Sequence, residues 1–319
     1  MKGLVYIVFS VCLFSRSFAA TIPQFIIDHA DSCAKSIQIN HQRLSKYLAS
    51  GAKNDEEKIL SFSYWIAKNI SYNLKEAREH HRTNKTAYEV LSNQNAVCEG
   101  YSILFQQFCQ NQGIPCYVVY GHGYGDLIRR VFNMAHMRHA WNVVYVNGQW
   151  KLLDVTWASS EMKHTDFTKT KELSWIFMNP EQFVKTHYPN DPRWQLLQNP
   201  VSRREFWAQS PNISEKKFAL EDSLNVLLQR DRYRNEVIIC KSEFEAQGDE
   251  NTYMKNLIQL GWKYVGGSFE SEKVKHGMEI FSFAESELER LRPALTGVVY
   301  KSNIRKGMHT ASIRLEKKE

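Results

Sequence analysis

Cys98 is placed where a thiol could act as a nucleophile. It precedes the segment EGYSILFQQFC, whose apolar residues recur at helical spacing before Gly113 and Pro115 end the predicted helix. Cys98 therefore lies in the first turn, with Asn95 as a candidate cap. The positive end of a helix stabilises a thiolate, and the first-turn N–H groups can bind an oxyanion. The alternative is that Cys98 is a small buried core residue.

A β-hairpin is predicted downstream of this helix. The segment HAWNVVYVNGQWKLLDVTWA contains two β-branched runs joined by Asn147 and Gly148. This dipeptide is a strong signal for a two-residue turn, which would place Val146 opposite Gln149.

This register makes His139 and Asp154 diagonal neighbours on one face of the hairpin. Counting back from the turn pairs His139 with Thr156 and Trp141 with Asp154. A carboxylate beside an imidazole fixes its tautomer, so that the imidazole can exchange a proton with Cys98. The sequence thus predicts a triad of Cys98, His139 and Asp154. The alternative is that His139 and Asp154 are unrelated residues on a structural hairpin.

The segments that carry these residues resemble the transglutaminase-like superfamily. They are DEEKILSFSYWIAKNISYN, NAVCEGYSILFQQFCQNQGIPCYVVYG and HAWNVVYVNGQWKLLDVTWA. The later segment FMNPEQFVKTHYPNDPRWQLLQNPVSRREF resembles the branch near kyphoscoliosis peptidase and its bacterial relatives. The resemblance implies Cys98 as nucleophile, His139 as general base and acid, and Asp154 as orienting carboxylate.

The same resemblance implies an α+β fold with a papain-like core, in which the cysteine helix packs on an antiparallel sheet. It implies a thiol enzyme that cleaves or transfers an amide acyl group, expected to be a cysteine peptidase with a peptide or protein substrate. A protein-glutamine transglutaminase is one alternative, although the calcium-site segments of the large animal transglutaminases are absent from the sequence. A non-catalytic peptide- or protein-binding module is the other.

A zinc site is the alternative use of the histidines. His136 lies three residues before His139, and both could bind zinc together with Asp154. Because no fourth ligand can be placed from the sequence, we expect no metal and no cofactor.

Residues 1–20 are predicted to be a secretory signal peptide. Lys2 precedes the apolar run LVYIVFSVCLF, and small residues follow at Ala19 and Ala20. The run is shorter than the roughly 20 residues that span a bilayer, so an uncleaved anchor is the less favoured alternative. We expect a secreted or periplasmic protein.

The net charge and the number of cysteines bear on the partners and the disulfides of the protein. The formal net charge of +7 favours anionic partners such as an envelope surface, whereas no basic block with interleaved aromatic residues indicates nucleic acid. The cysteines after Cys12 are Cys33, Cys98, Cys109, Cys116 and Cys240. This odd number leaves at least one thiol unpaired or paired with another chain. Cys109 and Cys116 flank the end of the cysteine helix and could pair, which the sequence does not decide. The alternative is that most of these cysteines are small buried hydrophobic residues.

Two domains are predicted after the signal peptide. Residues 21–211 form the transglutaminase-like domain, and the polar stretch SPNISEKK suits a boundary. Residues 212–319 contain five segments that are interpreted as strands: NEVIIC, KYVGGSF, MEIFSFA, GVVYKS and TASIRLE. Two further segments are interpreted as helices: NTYMKNLIQLG and ELERLRPAL. This pattern predicts a smaller α+β domain. We expect it to contact a partner, such as an envelope surface.

Overall fold

The computed structural model describes residues 20–79, 86–125, 136–164, 171–209, 224–225, 227–228, 232–266, 271–291 and 298–316. The chain divides into two compact units. The first unit comprises residues 1–118 and 141–183, and the second comprises residues 119–140 and 184–319. Residues 1–19 and the predicted boundary between 211 and 212 lie outside the described residues, so the signal peptide and this boundary stay predictions.

The first unit combines helices with short strands. Its helices are α1 (Gln24–Asp31), α2 (Lys35–Gln38), α3 (His41–Ser50), α4 (Asp55–Asn69), α5 (Leu74–Glu79), α6 (Ala87–Asn93), α7 (Cys98–Asn111), α8 (Val155–His164) and α9 (Pro180–Phe183). Its strands are β1 (Ala20–Thr21), β2 (Ser71–Tyr72), β3 (Asn95–Ala96), β6 (Gln149–Leu153), β7 (Glu172–Leu173) and β8 (Ile176–Met178). Strands β4 (Cys116–Tyr124) and β5 (His136–Val146) each continue from one unit into the other.

Helix α4 forms from local signals in its sequence. The Asn54 side chain accepts a hydrogen bond from the Glu57 backbone N–H at 2.9 Å, and acidic residues occupy the positive end of the helix. The buried apolar stripe consists of Ile59, Phe62, Trp65, Ile66 and Ile70. Through this stripe α4 packs against α7 and α8 in the core.

The predicted hairpin is formed by β5 and β6. Val146 lies opposite Gln149, as expected, and Asn147 and Gly148 have φ values of 52° and 76°. Both angles are positive, which a type I′ turn requires and which Asn and Gly tolerate. The turn therefore fixes the register of the strands that follow it.

The second strand of the hairpin is shorter than predicted. Leu153 is its last paired residue, and α8 begins at Val155. The prediction that His139 faces Thr156 is therefore wrong, because Thr156 is helical. The strand ends where the Asp154 side chain accepts backbone N–H groups of the next turn and starts a helix.

The cysteine helix packs on the sheet, which confirms the predicted α+β class. The five-stranded sheet has the order β8–β6–β5–β4–β9, where β9 is His187–Pro189. Gln106 Nε2 on α7 donates to the Cys116 carbonyl at 3.0 Å, and Asn142 Nδ2 on β5 donates to the Ser102 carbonyl at 3.0 Å. These bonds hold α7 against β4 and β5.

The second unit is largely helical after β9. A 3₁₀-helix spans Pro192–Gln195, and the α-helices are α10 (Arg203–Ala208), α11 (Arg232–Gln247), α12 (Glu250–Gly266), α13 (Ser271–Leu291) and α14 (Val298–Glu316). Within the described residues, no helix is both long and apolar enough to cross a membrane.

The strands predicted after residue 212 are wrong, because the described residues of those segments are helical. In α13, the buried residues Val274, Gly277, Phe281, Ala284 and Leu291 recur at intervals of three, four or seven, the period of a helix. The seven-residue window MEIFSFA is too short to show that period, and its β-forming residues favoured a strand.

A buried ion pair lies next to α11 in the second unit. The Arg193 guanidinium donates to both carboxylate oxygens of Asp191, with the shortest distance 2.6 Å. The Glu243 carboxyl of α11 interacts with both groups. Burial and, to a smaller extent, the negative charge of Asp191 raise the pKa of Glu243 while Arg193 lowers it, and the net pKa is about 8.

We expect stability to fall as the pH rises through the range in which Glu243 ionises. The unfolded carboxyl loses its proton near its ordinary pKa of about 4.5, whereas the folded one holds it to about 8. Between these values the folded state binds more protons, so the free energy of unfolding falls by up to roughly 1.4 kcal/mol per pH unit. Urea unfolding at pH 5 and pH 8 measures this change. The free energy of unfolding should fall less between the two pH values for Glu243→Gln than for the parent. The control is Glu245→Gln, an exposed residue on the same helix, whose free energy of unfolding should depend on pH with the same slope as that of the parent. An unchanged slope in Glu243→Gln would contradict the prediction.

Candidate active site

Cys98 is the first residue of α7, and its side chain is 8% exposed. The helix starts here because Val97 has an extended backbone, while its carbonyl already accepts the N–H groups of Gly100 and Tyr101 at 2.9 and 3.2 Å. The predicted first-turn position of the thiol is confirmed. The predicted cap is wrong, because Asn95 lies in β3 and Val97 occupies the cap position.

Three hydrogen bonds fix the first turns of α7. The Tyr101 hydroxyl donates to the Ile70 carbonyl at 2.6 Å, which ties the helix to the end of α4. The Ser102 hydroxyl donates to the Cys98 carbonyl at 3.0 Å, and the Asn142 amide of β5 donates to the Ser102 carbonyl. The backbone that carries the thiol is therefore held by both a helix and a strand.

Tyr72, a residue not predicted to belong to the site, lies close to the start of this helix. Strand β2 pairs in parallel with β3, and Tyr72 lies opposite Ala96, two residues before Cys98. Burial raises the pKa of Tyr72, and the negative charges of Cys98 and Asp154 raise it further. The phenol therefore stays protonated and can donate a hydrogen bond. The segment NISYN, in which a tyrosine follows the end of an apolar helix, is the sequence signal that could have indicated Tyr72.

Asp154 is fully buried at the junction of β6 and α8. Its Oδ1 accepts the backbone N–H groups of Thr156 at 2.8 Å and Trp157 at 3.1 Å, while its own N–H donates to the Trp175 carbonyl at 2.9 Å. Asp154 thus caps α8, and these contacts fix the orientation of its carboxylate.

His139 is buried in the second unit beside another imidazole. The ring centroids of His139 and His187 are 5.4 Å apart, and His187 Nδ1 lies 2.8 Å from the Thr186 hydroxyl oxygen. His187 was not predicted, because β9 brings it there from about fifty residues downstream. Two adjacent imidazoles are ligands that zinc accepts. The side chain of His136, the other predicted zinc ligand, lies outside the described residues.

Strand β5 connects His139 to the hairpin that ends at Asp154. Asn142, three residues after His139, pairs with Leu153, the residue before Asp154. Continuing this register by one residue would place Trp141 opposite Asp154. Because side chains alternate along a strand, His139 shares the face of Trp141.

Residues 42–155 match the family model described as the transglutaminase-like superfamily. The chain contains a transglutaminase-like domain. The matched range includes Cys98, His139 and Asp154, and it confirms the predicted family.

Relatives of the transglutaminase-like domain include kyphoscoliosis peptidases. The chain is 30% identical over 187 residues to that of Mus musculus, covering 57% of this chain and 28% of that protein. It is 32% identical over 163 residues to the kyphoscoliosis peptidase of Homo sapiens. That alignment covers 50% of this chain and 24% of the human protein. The alignments thus span about a quarter of the length of these curated relatives. A crystal structure of a TGase is similar over 39% of this chain and 34% of that chain, with 21% identity and a TM-score of 0.30.

Replacing Asp154 should separate its capping role from its charge. Asp154→Ala removes the acceptor for two N–H groups and should lower the free energy of unfolding by about 0.5–2 kcal/mol. Asp154→Asn keeps an acceptor oxygen and should lower it less. Urea unfolding of both variants measures the difference. An equal loss in the two variants would show that Asp154 does not stabilise α8 as a cap.

Proposed function

We propose that the protein is a thiol acyl-transfer enzyme, and most directly a cysteine peptidase, with Cys98, His139 and Asp154 as its triad. The observation that carries the proposal is a cysteine opening a firmly anchored helix within a transglutaminase-like domain. The buried, oriented carboxylate of Asp154 and the continuous strand that leads to His139 support the other two roles.

The proposed reaction proceeds through a thioester. The Cys98 thiol transfers its proton to the His139 imidazole, and the sulfur attacks the amide carbonyl carbon. As the carbon–nitrogen bond breaks, His139 returns the proton to the leaving amine. Water, deprotonated by His139, then attacks the thioester, and the Cys98 sulfur leaves as a thiol. Asp154 holds the required imidazole tautomer and stabilises the imidazolium.

Tyr72 is proposed to stabilise the oxyanion of the tetrahedral intermediate. Its hydroxyl remains a neutral donor because burial and nearby negative charge disfavour its ionisation. Backbone N–H groups of the first turn of α7 are the second set of donors.

Transglutaminase activity is the alternative outcome of the same chemistry. The thioester is identical, and only the acceptor differs, with a lysine amine replacing water. A binding module would need neither a reactive Cys98 nor an oriented carboxylate, so the arrangement around Asp154 favours an enzyme.

A single assay can separate a peptidase, a transglutaminase and a binding module, the last of which would give neither of the two signals. Denatured proteins of a bacterial envelope are incubated with the full chain and a fluorescent primary amine. New N-termini indicate a peptidase, whereas fluorescence in protein bands indicates a transglutaminase. Cys98→Ala should lower either signal by at least about 10³-fold. Equal signals from the parent and Cys98→Ala would contradict the thiol mechanism.

The triad variants should lose turnover without losing the fold. Asp154→Asn should lower kcat by about 10²–10⁴-fold, because its amide does not select the required imidazole tautomer. Its unfolding should stay close to that of the parent, as expected for a retained cap. Near-parent turnover in Asp154→Asn would make Asp154 a structural residue only.

Tyr72→Phe should lower kcat by about 10²-fold with little change in KM. The substitution removes a hydrogen bond to the oxyanion, and this bond forms only in the transition state. Tyr101→Phe is the comparison, since that hydroxyl already donates to the Ile70 carbonyl and should affect stability before catalysis. A rise in KM with unchanged kcat in Tyr72→Phe would contradict the proposed role.

Export and a surface partner are further parts of the proposal. The composition of residues 1–20 supports secretion or export to a periplasm. Helix α14 exposes Lys301, Arg305 and Lys306, cationic side chains that suit an anionic envelope surface. Pull-down with isolated cell envelopes at low and high salt tests this contact.

A further inference from the structure

Two thiols lie together at the far end of the helix that begins with Cys98. Cys109 is in the last turns of α7, and Cys116 is the first residue of β4. Their exposed fractions are 0% and 4%, and both belong to the core of the first unit. The start of β4 lies against the last turns of α7, because the Gln106 side chain, one turn before Cys109, donates to the Cys116 carbonyl. The Cys116 side chain is also one of the groups that raise the pKa of Cys109.

The chain between these cysteines reverses tightly. The N–H groups of Gln112 and Ile114 both donate to the Cys109 carbonyl, at 3.0 and 2.9 Å. Gly113 has a φ of 72°, in the left-handed region that glycine adopts readily. This turn keeps the end of α7 beside the start of β4.

Polar groups of the core hold Cys116 in place. Gln106 Nε2 donates to the Cys116 carbonyl at 3.0 Å, and Asn142 Nδ2 lies 3.8 Å from the Cys116 sulfur. An amide N–H can donate to a disulfide sulfur as well as to a thiol. The Asn142 amide can therefore still donate to the Cys116 sulfur after the bond has formed.

The geometry excludes the reactive thiol as the partner of Cys109. Cys98 is eleven residues earlier on the same helix, which corresponds to about 16 Å along the axis. A disulfide requires Cα atoms about 4.4–6.8 Å apart. Within α7, Cys109 and Cys98 therefore cannot pair, and the nucleophile stays separate from any bond at the other end.

We propose that Cys109 and Cys116 form a structural disulfide when the chain folds in an oxidising compartment. The proposal rests on the proposed export but not on the proposed catalytic activity. The bond would join the end of the nucleophile helix to the first strand of the sheet, in addition to the hydrogen bonds already there.

The reaction is thiol–disulfide exchange with an oxidant disulfide, such as glutathione disulfide or a protein oxidoreductase. One cysteine thiolate attacks the oxidant, forms a mixed disulfide and releases one thiolate. The second cysteine thiolate then displaces the other half of the oxidant. Two S–H protons are lost, one S–S bond forms, and the oxidant is reduced to two thiols.

The bond is expected to form before the core closes. Burial raises the pKa of Cys109, and the adjacent Cys116 sulfur raises it further, so the folded state disfavours the attacking thiolate. Once the core has closed, the same burial shields the disulfide from thiol reductants in solution. Reduction of the bond should therefore require unfolding.

The experiment uses the full chain carrying Cys98→Ala, which removes the proposed nucleophile. The protein is unfolded, reduced, and refolded in a buffer of glutathione and glutathione disulfide. It is then quenched in acid and alkylated under denaturing conditions without reductant. Peptide mapping by mass spectrometry should find Cys109 and Cys116 joined to each other and Cys12, Cys33 and Cys240 alkylated. Incubating the refolded protein with glutathione should leave the bond intact until denaturant is added.

Two comparisons complete the test. Cys116→Ser in the same background should leave Cys109 alkylated, and Cys240→Ser should leave the 109–116 bond unchanged. Alkylation of both Cys109 and Cys116 in the refolded parent would overturn the proposal, as would pairing of either with another cysteine. The mapping needs no activity, so a failure of the proposed triad would not affect the result. Mapping the same bond in protein purified from the periplasm of a bacterial host tests export separately.

Discussion

The fold around the candidate site depends on providing hydrogen bonds to one buried carboxylate. Asp154 has no exposed surface, and an ionised carboxylate removed from water costs several kcal/mol unless hydrogen bonds replace the lost solvation. The N–H groups of Thr156 and Trp157 supply these bonds to one oxygen. Because a helix N-terminus is the place where such donors are grouped, β6 must end at Leu153 and α8 must begin at Val155.

This junction also determines what lies around the thiol. Helix α8 packs against α4 and α7, and α7 begins with Cys98. The Tyr101 hydroxyl ties the same turn to Ile70 at the end of α4, where the chain continues directly into Tyr72. The thiol, the phenol and the carboxylate are consequently held by rigid elements of one core, the condition under which side chains can be oriented for catalysis.

The two ends of α7 have different chemical roles in this interpretation. At the first turn, helix N–H groups and a neutral phenol suit a reactive sulfur and the oxyanion that it generates. At the last turn, complete burial of Cys109 and the nearby Cys116 at the start of β4 suit an inert sulfur pair. Both Cys98 and Cys109 are buried, so their positions in the helix separate the two roles: free N–H groups surround the first turn and are absent from the last.

The sequence by itself determined the features that depend on neighbouring residues. The side chain of Asn54 is a favourable cap for α4, and the hydrophobic period after Cys98 indicates a helix that starts there. The turn at Asn147 and Gly148 follows from the backbone preferences of these two residues. These interactions act over a few residues, so a short window contains them completely.

Tertiary structure decided the features that depend on distant contacts. Packing between segments that are far apart in the chain decides three of these features. They are the end of β6, the position of Tyr72 beside Cys98, and the position of His187 beside His139. The helices after residue 212 belong to the same class, because β-branched and aromatic residues permit both strand and helix. Burial of one helical face, as on α13, stabilises the helix over the strand.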